Sequence, residues 1–283
     1  MNFKKITIED KAIFDDFFRR FPPNISELTF TNLFCWRLAQ DFEWAIFNDH
    51  LLISWMDAKR TFYPPIGKEP ESVIRTVFDE KPDAVFARVE KNLAEKFAGF
   101  RIAEEREQFD YLHELKDLIE LPGRKFAAKR NFIKRAQALN PKVFHCSDEM
   151  AGRCLQLQEK WCNLNNSKCN PALYQENLAI REFFQQRKNL SAHGIIILIG
   201  DEVSAFAIGE KLNSTTYVDH FEKADTKYPG IYQLLLWEFA KSIPPEFRYM
   251  NREQDVGVCG LRKAKLSYHP VRLIEKYRIE KQL

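Results

Sequence analysis

Apolar and polar positions alternate with a period of two at several places along the chain. Phe42–Phe47 and Leu51–Trp55 form two such runs, and Asn48-Asp49-His50 between them predicts a hairpin. A short extended piece at Thr61–Tyr63 ends in Pro64-Pro65. Pro70 suits the first turn of a helix that runs to Phe78. Ala84–Arg88 reads as a strand, Lys91–Phe97 as a helix and Phe100–Ala103 as extended chain. The order then recurs. Gly194–Ile199 and Val203–Ile208 flank Gly200-Asp201-Glu202 as a second hairpin, and Thr215–Phe221 is a third strand. Ile231–Ala240 is a helix, Phe247–Asn251 a strand, Val258–Leu266 a helix and Val271–Tyr277 a last strand. Both halves read β-β-β-α-β-α-β, the mark of a degenerate internal duplication. Helical segments at Asp10–Arg19 and Ser26–Arg37 open the chain. Two more, Arg124–Asn140 and Ser147–Asn163, lie between the halves, and Asn163–Asn170 is a polar loop.

These periods place the chain in the α/β (α+β) class. The expected organisation is an N-terminal domain over 1–120, bridging helices over 121–165 and a C-terminal domain over 166–283. The length of 283 residues fits about two domains, and the 13% aromatic content implies a sizeable core. A formal net charge of +3 is too mild for a nucleic-acid-binding surface over the whole molecule. Its distribution says more: Leu121–His145 carries seven basic residues and no acidic one. Leu261–Leu283 carries seven basic residues against Glu275 and Glu280.

None of the six cysteines forms a C-x-x-C pair and no two histidines stand at ligand spacing, so no metal site is expected. No stretch approaches about 18 apolar residues, and the first ten lack the apolar core of a secretion signal. The thiols are therefore read as reduced, in a cytoplasm.

The repeated order, with a Gly turn between a strand and a helix, resembles the GNAT acyltransferase fold in tandem. Four strings narrow the resemblance: Glu27–Trp36 (ELTFTNLFCW), Pro122–Asn131 (PGRKFAAKRN), His220–Asp225 (HFEKAD) and Asn251–Pro270 (NREQDVGVCGLRKAKLSYHP). They resemble an uncharacterised bacterial family, domain of unknown function 2156, grouped with the C-terminal domain of phosphatidylglycerol lysyltransferase. The resemblance implies two GNAT-like domains. It also implies kinship with transferases that move an aminoacyl group from tRNA, the Fem peptidoglycan-bridge enzymes among them.

Three places carry candidate chemistry. Lys227-Tyr-Pro-Gly-Ile-Tyr232 opens the helix from Ile231, and a helix start with free N–H groups suits a phosphate. GNAT enzymes hold the acetyl-CoA pyrophosphate on a turn at this place. Here one Gly remains and Ile231 and Tyr232 are bulky, which favours a larger donor such as a tRNA acceptor end. Lys227, Gly230 and Tyr232 are the donor-binding candidates, against the plain reading of a strand-to-helix turn.

On Arg124–Asn140, a spacing of 100° per residue puts Phe126, Phe132, Ile133, Ala136 and Leu139 on one face, and Lys125 and Lys129 point with them. An inward ammonium needs a partner or a bound anion. Lys125, Lys129, Arg130 and Asn131 therefore join the donor- and phosphate-binding set, with Arg262 from the last motif. The competing reading is a solvated basic face.

In the last motif Lys265 falls between Val258, Leu261 and Tyr268, with Glu253 and Asp255 ahead of it past a strand end. One acid is expected to pair with Lys265, or to take a proton from an acceptor amine. Glu253, Asp255 and Lys265 are the catalytic candidates, facing a cleft between the domains. The competing reading is an internal ion pair that fixes the helix. Asp219, His220, Glu222 and Lys223 alternate along the third strand, so one set looks into the cleft.

The expected function is an acyl- or aminoacyltransferase with no covalent cofactor. It would take aminoacyl-tRNA or acyl-CoA as donor and a small-molecule, peptide or lipid-headgroup acceptor, by direct attack of an amine or hydroxyl. The rivals are a non-catalytic nucleotide- or RNA-binding protein of the same fold, and an acyl-CoA-dependent N-acyltransferase.

Overall fold

The computed structural model describes residues 1–165 and 170–282. It divides into two compact units. One comprises Met1–Tyr111, Glu253–Ala264 and Arg272–Leu283; the other comprises Leu112–Arg252 and Lys265–Val271.

In the first unit β1 (Lys4–Lys5) precedes α1 (Lys11–Arg20) and α2 (Phe30–Gln40). The Thr29 side chain accepts from the Asn32 N–H and caps α2, so this helix starts later than the sequence pattern predicts. Next come β2 (Glu43–Phe47), β3 (His50–Met56), β4 (Arg60–Phe62), α3 (Pro70–Glu80), β5 (Val85–Glu90), α4 (Lys91–Ala94) and β6 (Arg101–Glu104). The second unit holds β7 (Asp110–Glu114) over its last three residues, α5 (Leu115–Glu120), α6 (Ala127–Gln137) and β8 (Lys142–His145). It continues with α7 (Ala151–Leu164), α8 (Pro171–Gln186), β9 (His193–Ile199), β10 (Glu202–Lys211), β11 (Thr216–Ala224), α9 (Ile231–Ser242) and β12 (Tyr249–Asn251). The chain closes with α10 (Cys259–Leu266), β13 (Arg272–Ile274) and β14 (Lys276–Glu280). Of the polar loop expected over 163–170, residues 166–169 lie outside the described residues.

The duplication is visible in the strand pairing. In the first unit β2, β3 and β4 pair antiparallel, α3 follows, and β4 and β5 pair parallel. In the second unit β9, β10 and β11 pair antiparallel, α9 follows, and β11 and β12 pair parallel. Leu51–Trp55 and Val203–Ile208 thus occupy equivalent places, in β3 and β10. Both sheets are mixed and flanked by helices. Leu52, Phe62, Phe78, Phe86 and Ile279 are among the first unit's core residues. Phe126, Ile133, Ile197, Tyr217, Leu235 and Phe239 are among the second's.

The domain boundaries differ from those expected. The last strand, β14, does not join the C-terminal sheet: it pairs antiparallel with both β5 and β6 and sits between them in the first sheet, ordered β1-β2-β3-β4-β5-β14-β6. The place beside β12 is taken by β7, through the register Tyr249↔Glu114, Met250↔His113, Asn251↔Leu112. The expected boundary at 120 therefore falls inside the second unit. Residues 121–165 do not bridge but belong to that unit, because α6 packs on α9 and α7 packs on β10 and α8.

Candidate functional site

The second unit concentrates buried charge where its parallel strands end. Thr216, Tyr217 and Val218 of β11 pair with Tyr249, Met250 and Asn251 of β12, and the chain leaves β12 at Arg252. β11 runs on to Ala224, so Asp219 and Glu222 extend past the end of β12. The carboxyl ends of parallel strands are where open α/β sheets hold ligands.

Arg252 occupies this place and is buried. Its Nη2 donates to Glu222 Oε2 at 2.8 Å, and its Nε lies 3.6 Å from Asp219 Oδ2. Its guanidinium carbon stands 5.3 Å from the centre of the Tyr268 ring. Lys129 of α6 reaches the same ring, with Nζ 4.2 Å from the centroid and a hydrogen bond of 2.5 Å to Ser267 Oγ. Among the described residues Lys129 has no carboxylate partner. Burial and then the Arg252 charge lower its pKa. Lys265 is buried too, and its ammonium donates to the Arg252 carbonyl. His113 of β7 is held at about 3, by burial first and then by Arg252, so its ring is neutral at pH 7. Lys129 and Lys265 therefore stand near Arg252, which faces Asp219 and Glu222, and these five residues carry three positive charges against two negative. Arg252 Nε and Nη1 and Glu222 Oε1 are among the buried atoms here that lack a hydrogen-bond partner among the described residues.

Lys265 is buried as expected, whereas Lys129 is half-buried. The apolar face expected on the same helix is met in part. Phe126, Ile133 and Ala136 are buried, while Phe132 is 39% exposed and Leu139 38%. Lys125 is exposed and forms a surface pair with Asp117 at 3.6 Å, a contact worth little. Arg124–Phe126 is a 3-10 turn, which advances about 120° per residue, so Lys125 does not keep the phase of α6. Asn131 lies exposed on α6. Arg130 donates to the carbonyls of Leu121 (2.5 Å) and Gly123 (2.7 Å), so it ties down the entry to its own helix rather than waiting for a phosphate. On α10 only Lys265 is buried, and Val258 and Leu261 are exposed.

The turn at 227–232 also differs from its phosphate-binding reading. Gly230 has φ +89°, and a Cβ there would lie 2.1 Å from the Phe132 carbonyl oxygen. The glycine is needed because the α6 backbone packs against the turn. Lys227 is engaged by Glu202 at 3.2 Å and Asp225 at 3.4 Å. The Tyr232 hydroxyl accepts from Trp161 Nε1 at 3.1 Å, and burial pushes its pKa up to about 12.

Glu253, Asp255 and Arg262 belong to the first unit. Glu253 has φ +52° and accepts from Asn32 Nδ2 at 3.2 Å. Asp255 is fully buried, accepts from Arg262 Nε and Nη2 at 2.8 Å each, and accepts from the Tyr111 hydroxyl at 2.5 Å and the Gly257 N–H at 2.9 Å. Burial works against its charge, but Arg262, Tyr111 and Gly257 outweigh it and hold the pKa at about 2. A carboxylate held so low is a poor proton acceptor, and its contacts make Asp255 the anchor of its loop. Arg262 is spent on the same pair.

The sequence reading missed a second buried group in this unit. Lys276 of β14 is 0% exposed and pairs with Glu27 at 2.6 Å and Asp110 at 2.7 Å. Asp110 also accepts from the Ser26 N–H, the Ser26 hydroxyl and Gln254 Nε2, each at 2.9 Å. Burial pushes the Glu27 carboxyl up.

Among the described residues no helix is long and apolar enough to cross a membrane. The family described as phosphatidylglycerol lysyltransferase, C-terminal, matches residues 18–280. A crystal structure of a conserved protein of unknown function from Bacteroides thetaiotaomicron is 32% identical, covers 99% of both chains and superposes with a TM-score of 0.92. The C-terminal domain of a putative lysylphosphatidylglycerol synthetase from Agrobacterium fabrum is 13% identical, covers 97% of this chain and 92% of its own, and has a TM-score of 0.70. L-PGS from Bacillus licheniformis gives 16%, 97%, 93% and 0.69. At such identities the likeness is one of fold. An uncharacterized protein of Mycoplasmoides gallisepticum is 25% identical over 175 residues, 60% of this chain. The match spans 56% of that relative's length.

Proposed function

The chain belongs to the phosphatidylglycerol lysyltransferase C-terminal family, and on that premise we propose that it is an acyl- or aminoacyltransferase whose reacting centre is the second unit's Arg252–Tyr268–Lys129 group. One observation carries the assignment of the centre. Lys129 is an ammonium drawn partly out of water, with no carboxylate beside it among the described residues, and it reaches the Tyr268 ring that Arg252 also approaches, near the strand ends where a ligand is expected. A site with one positive charge in excess suits an anion. In acyl transfer that anion is the carbonyl oxygen as it takes up charge, or a phosphate of the donor.

In this reading the acceptor amine attacks the carbonyl carbon of a bound ester, the C–N bond forms and the C–O bond of the donor breaks. The amine proton leaves with the donor oxygen. Lys129 and Lys265 stabilise the transient oxyanion, and Asp219 and Glu222 hold Arg252 in place. No side chain is acylated on the way. Aminoacyl-tRNA is the favoured donor, in keeping with the lysylphosphatidylglycerol synthetases and FemX among the structures of similar fold.

The test is transfer of a radiolabelled aminoacyl group from charged tRNA to amine and phosphatidylglycerol acceptors. The purified protein should move label, and Lys129→Met should lose about 10²–10³ of the rate, the usual loss for one oxyanion donor. RNA bound without any transfer of label from any charged tRNA would assign the chain to the non-catalytic reading.

A further inference from the structure

Glu222 reaches Arg252 with one oxygen only; the other, Oε1, is buried and lacks a hydrogen-bond partner among the described residues. The same is true of Arg252 Nη1. An acceptor and a donor are thus left open on the two members of one ion pair. Unsatisfied buried groups of this kind cost stability unless something else binds them. Two phenols, Tyr232 and Tyr268, feel the charge of Glu222. Trp161 donates to the Tyr232 hydroxyl. A carboxylate oxygen left open in this way suits a primary ammonium, through charge and a charge-assisted hydrogen bond. Arg252 Nη1 and Lys129 beside it suit a carbonyl or carboxylate oxygen.

We propose that Glu222 and Arg252 form a two-pronged subsite that reads a free primary ammonium next to an acyl carbonyl, Glu222 Oε1 taking the ammonium and Arg252 Nη1 the oxygen. The proposal rests on the transferase reading of this centre and makes it narrower. The group held there carries an amine, which distinguishes an aminoacyl group from a plain acyl group. The ammonium has two sources, the α-amino group of an aminoacyl donor or the amine of an acceptor, and the probes separate them.

The experiment measures binding to the full chain by ligand-observed NMR, with no turnover needed. The probes are alanine methyl ester and lysine methyl ester (ammonium beside an ester), methyl propionate (ester without ammonium) and propylamine (ammonium without ester). The amino esters should bind at least tenfold more tightly than methyl propionate. Propylamine should bind weakly if the ammonium is the donor's own, and as well as the amino esters if it is the acceptor's. Glu222→Gln should erase the preference for the amino esters. Because Glu222 also holds Arg252, Glu222→Asp serves as a second variant. It keeps the charge but draws it back, and should reduce the preference while melting like the wild type. Equal binding of amino esters and methyl propionate, or an unchanged preference in Glu222→Gln, overturns the proposal. Its failure is distinct from that of the transferase reading, since label transfer with no amine preference would leave a transferase without this subsite.

Discussion

The Lys129 ammonium lies 4.2 Å from the centre of the Tyr268 ring and has no carboxylate partner among the described residues. Its desolvation is offset by the ring and the Ser267 hydroxyl. Replacing it with an apolar chain of similar length removes the cost without leaving a cavity. Lys129→Met should therefore melt at or above the wild-type temperature while losing transfer. A variant both less stable and inactive would mean that Lys129 holds the fold. Thermal melting and label transfer on the same preparation give the answer.

Gly230 makes the opposite kind of test. Its positive φ and its closeness to the Phe132 carbonyl leave no room for a methyl group. Gly230→Ala should destabilise the protein by more than about 1 kcal/mol, measured by urea unfolding. If the glycine served only to admit a phosphate, stability would be unchanged and donor binding alone would suffer.

Asp255 sets an acid limit. Its folded pKa of about 2 lies below the value expected in an unfolded chain, so it favours the folded state most at pH values above about 4. That contribution is lost as pH falls from about 4 toward 2. Asp255→Asn should lower the melting temperature at pH 7 and flatten its fall between pH 4 and 2. The loss at neutral pH should be about 1.5–3 kcal/mol, the range for hydrogen bonds to a charged group. An equally steep acid fall in the variant would move the effect to other carboxylates.

Salt dependence sorts the basic residues of α6. Lys134 and Arg135 are exposed, whereas Arg130 holds the carbonyls of Leu121 and Gly123. If tRNA phosphates lie along this helix, each contact contributes about 0.7–0.9 to the log–log slope of affinity against salt. Replacing Lys134 and Arg135 together with Ala should lower that slope by about 1.5 in filter-binding titrations. Arg130→Ala should act on melting instead. An unchanged slope in the double variant would make these two a solvated face.

Alternating and helical patterns carried most of the architecture. Both hairpins, α3, α9 and the repeated strand order follow from them, since one buried face imposes its period on each element. The pattern failed where polar side chains turn inward. Lys276, Arg278 and Glu280 alternate with Tyr277 and Ile279, which reads as a solvated row, yet Lys276 is fully buried. A shift in pairing between Tyr277 and Ile279 breaks the alternation. Asp110 and His113 masked β7 in the same way, because a buried polar residue is indistinguishable by type from an exposed one until its partner is known. Lys129 was legible as half-buried because it interrupts the apolar stripe of α6; Lys265 is buried although Val258 and Leu261, from which its inward phase was read, are exposed. Glu222 and Arg252 were not legible, since their meeting depends on β11 outrunning β12.

The position of β14 has a bearing on how the protein is made. Its residues leave the ribosome more than 160 positions after the strands it joins, while β5 and β6 wait with a gap between them and Glu27 and Asp110 wait without their lysine. Until then the first sheet is an open template for any other extended segment. The N-terminal third of the nascent chain thus carries unpaired strand edges through most of translation, and a message cut short by a dozen codons would lose β14 and leave those edges open to aggregation.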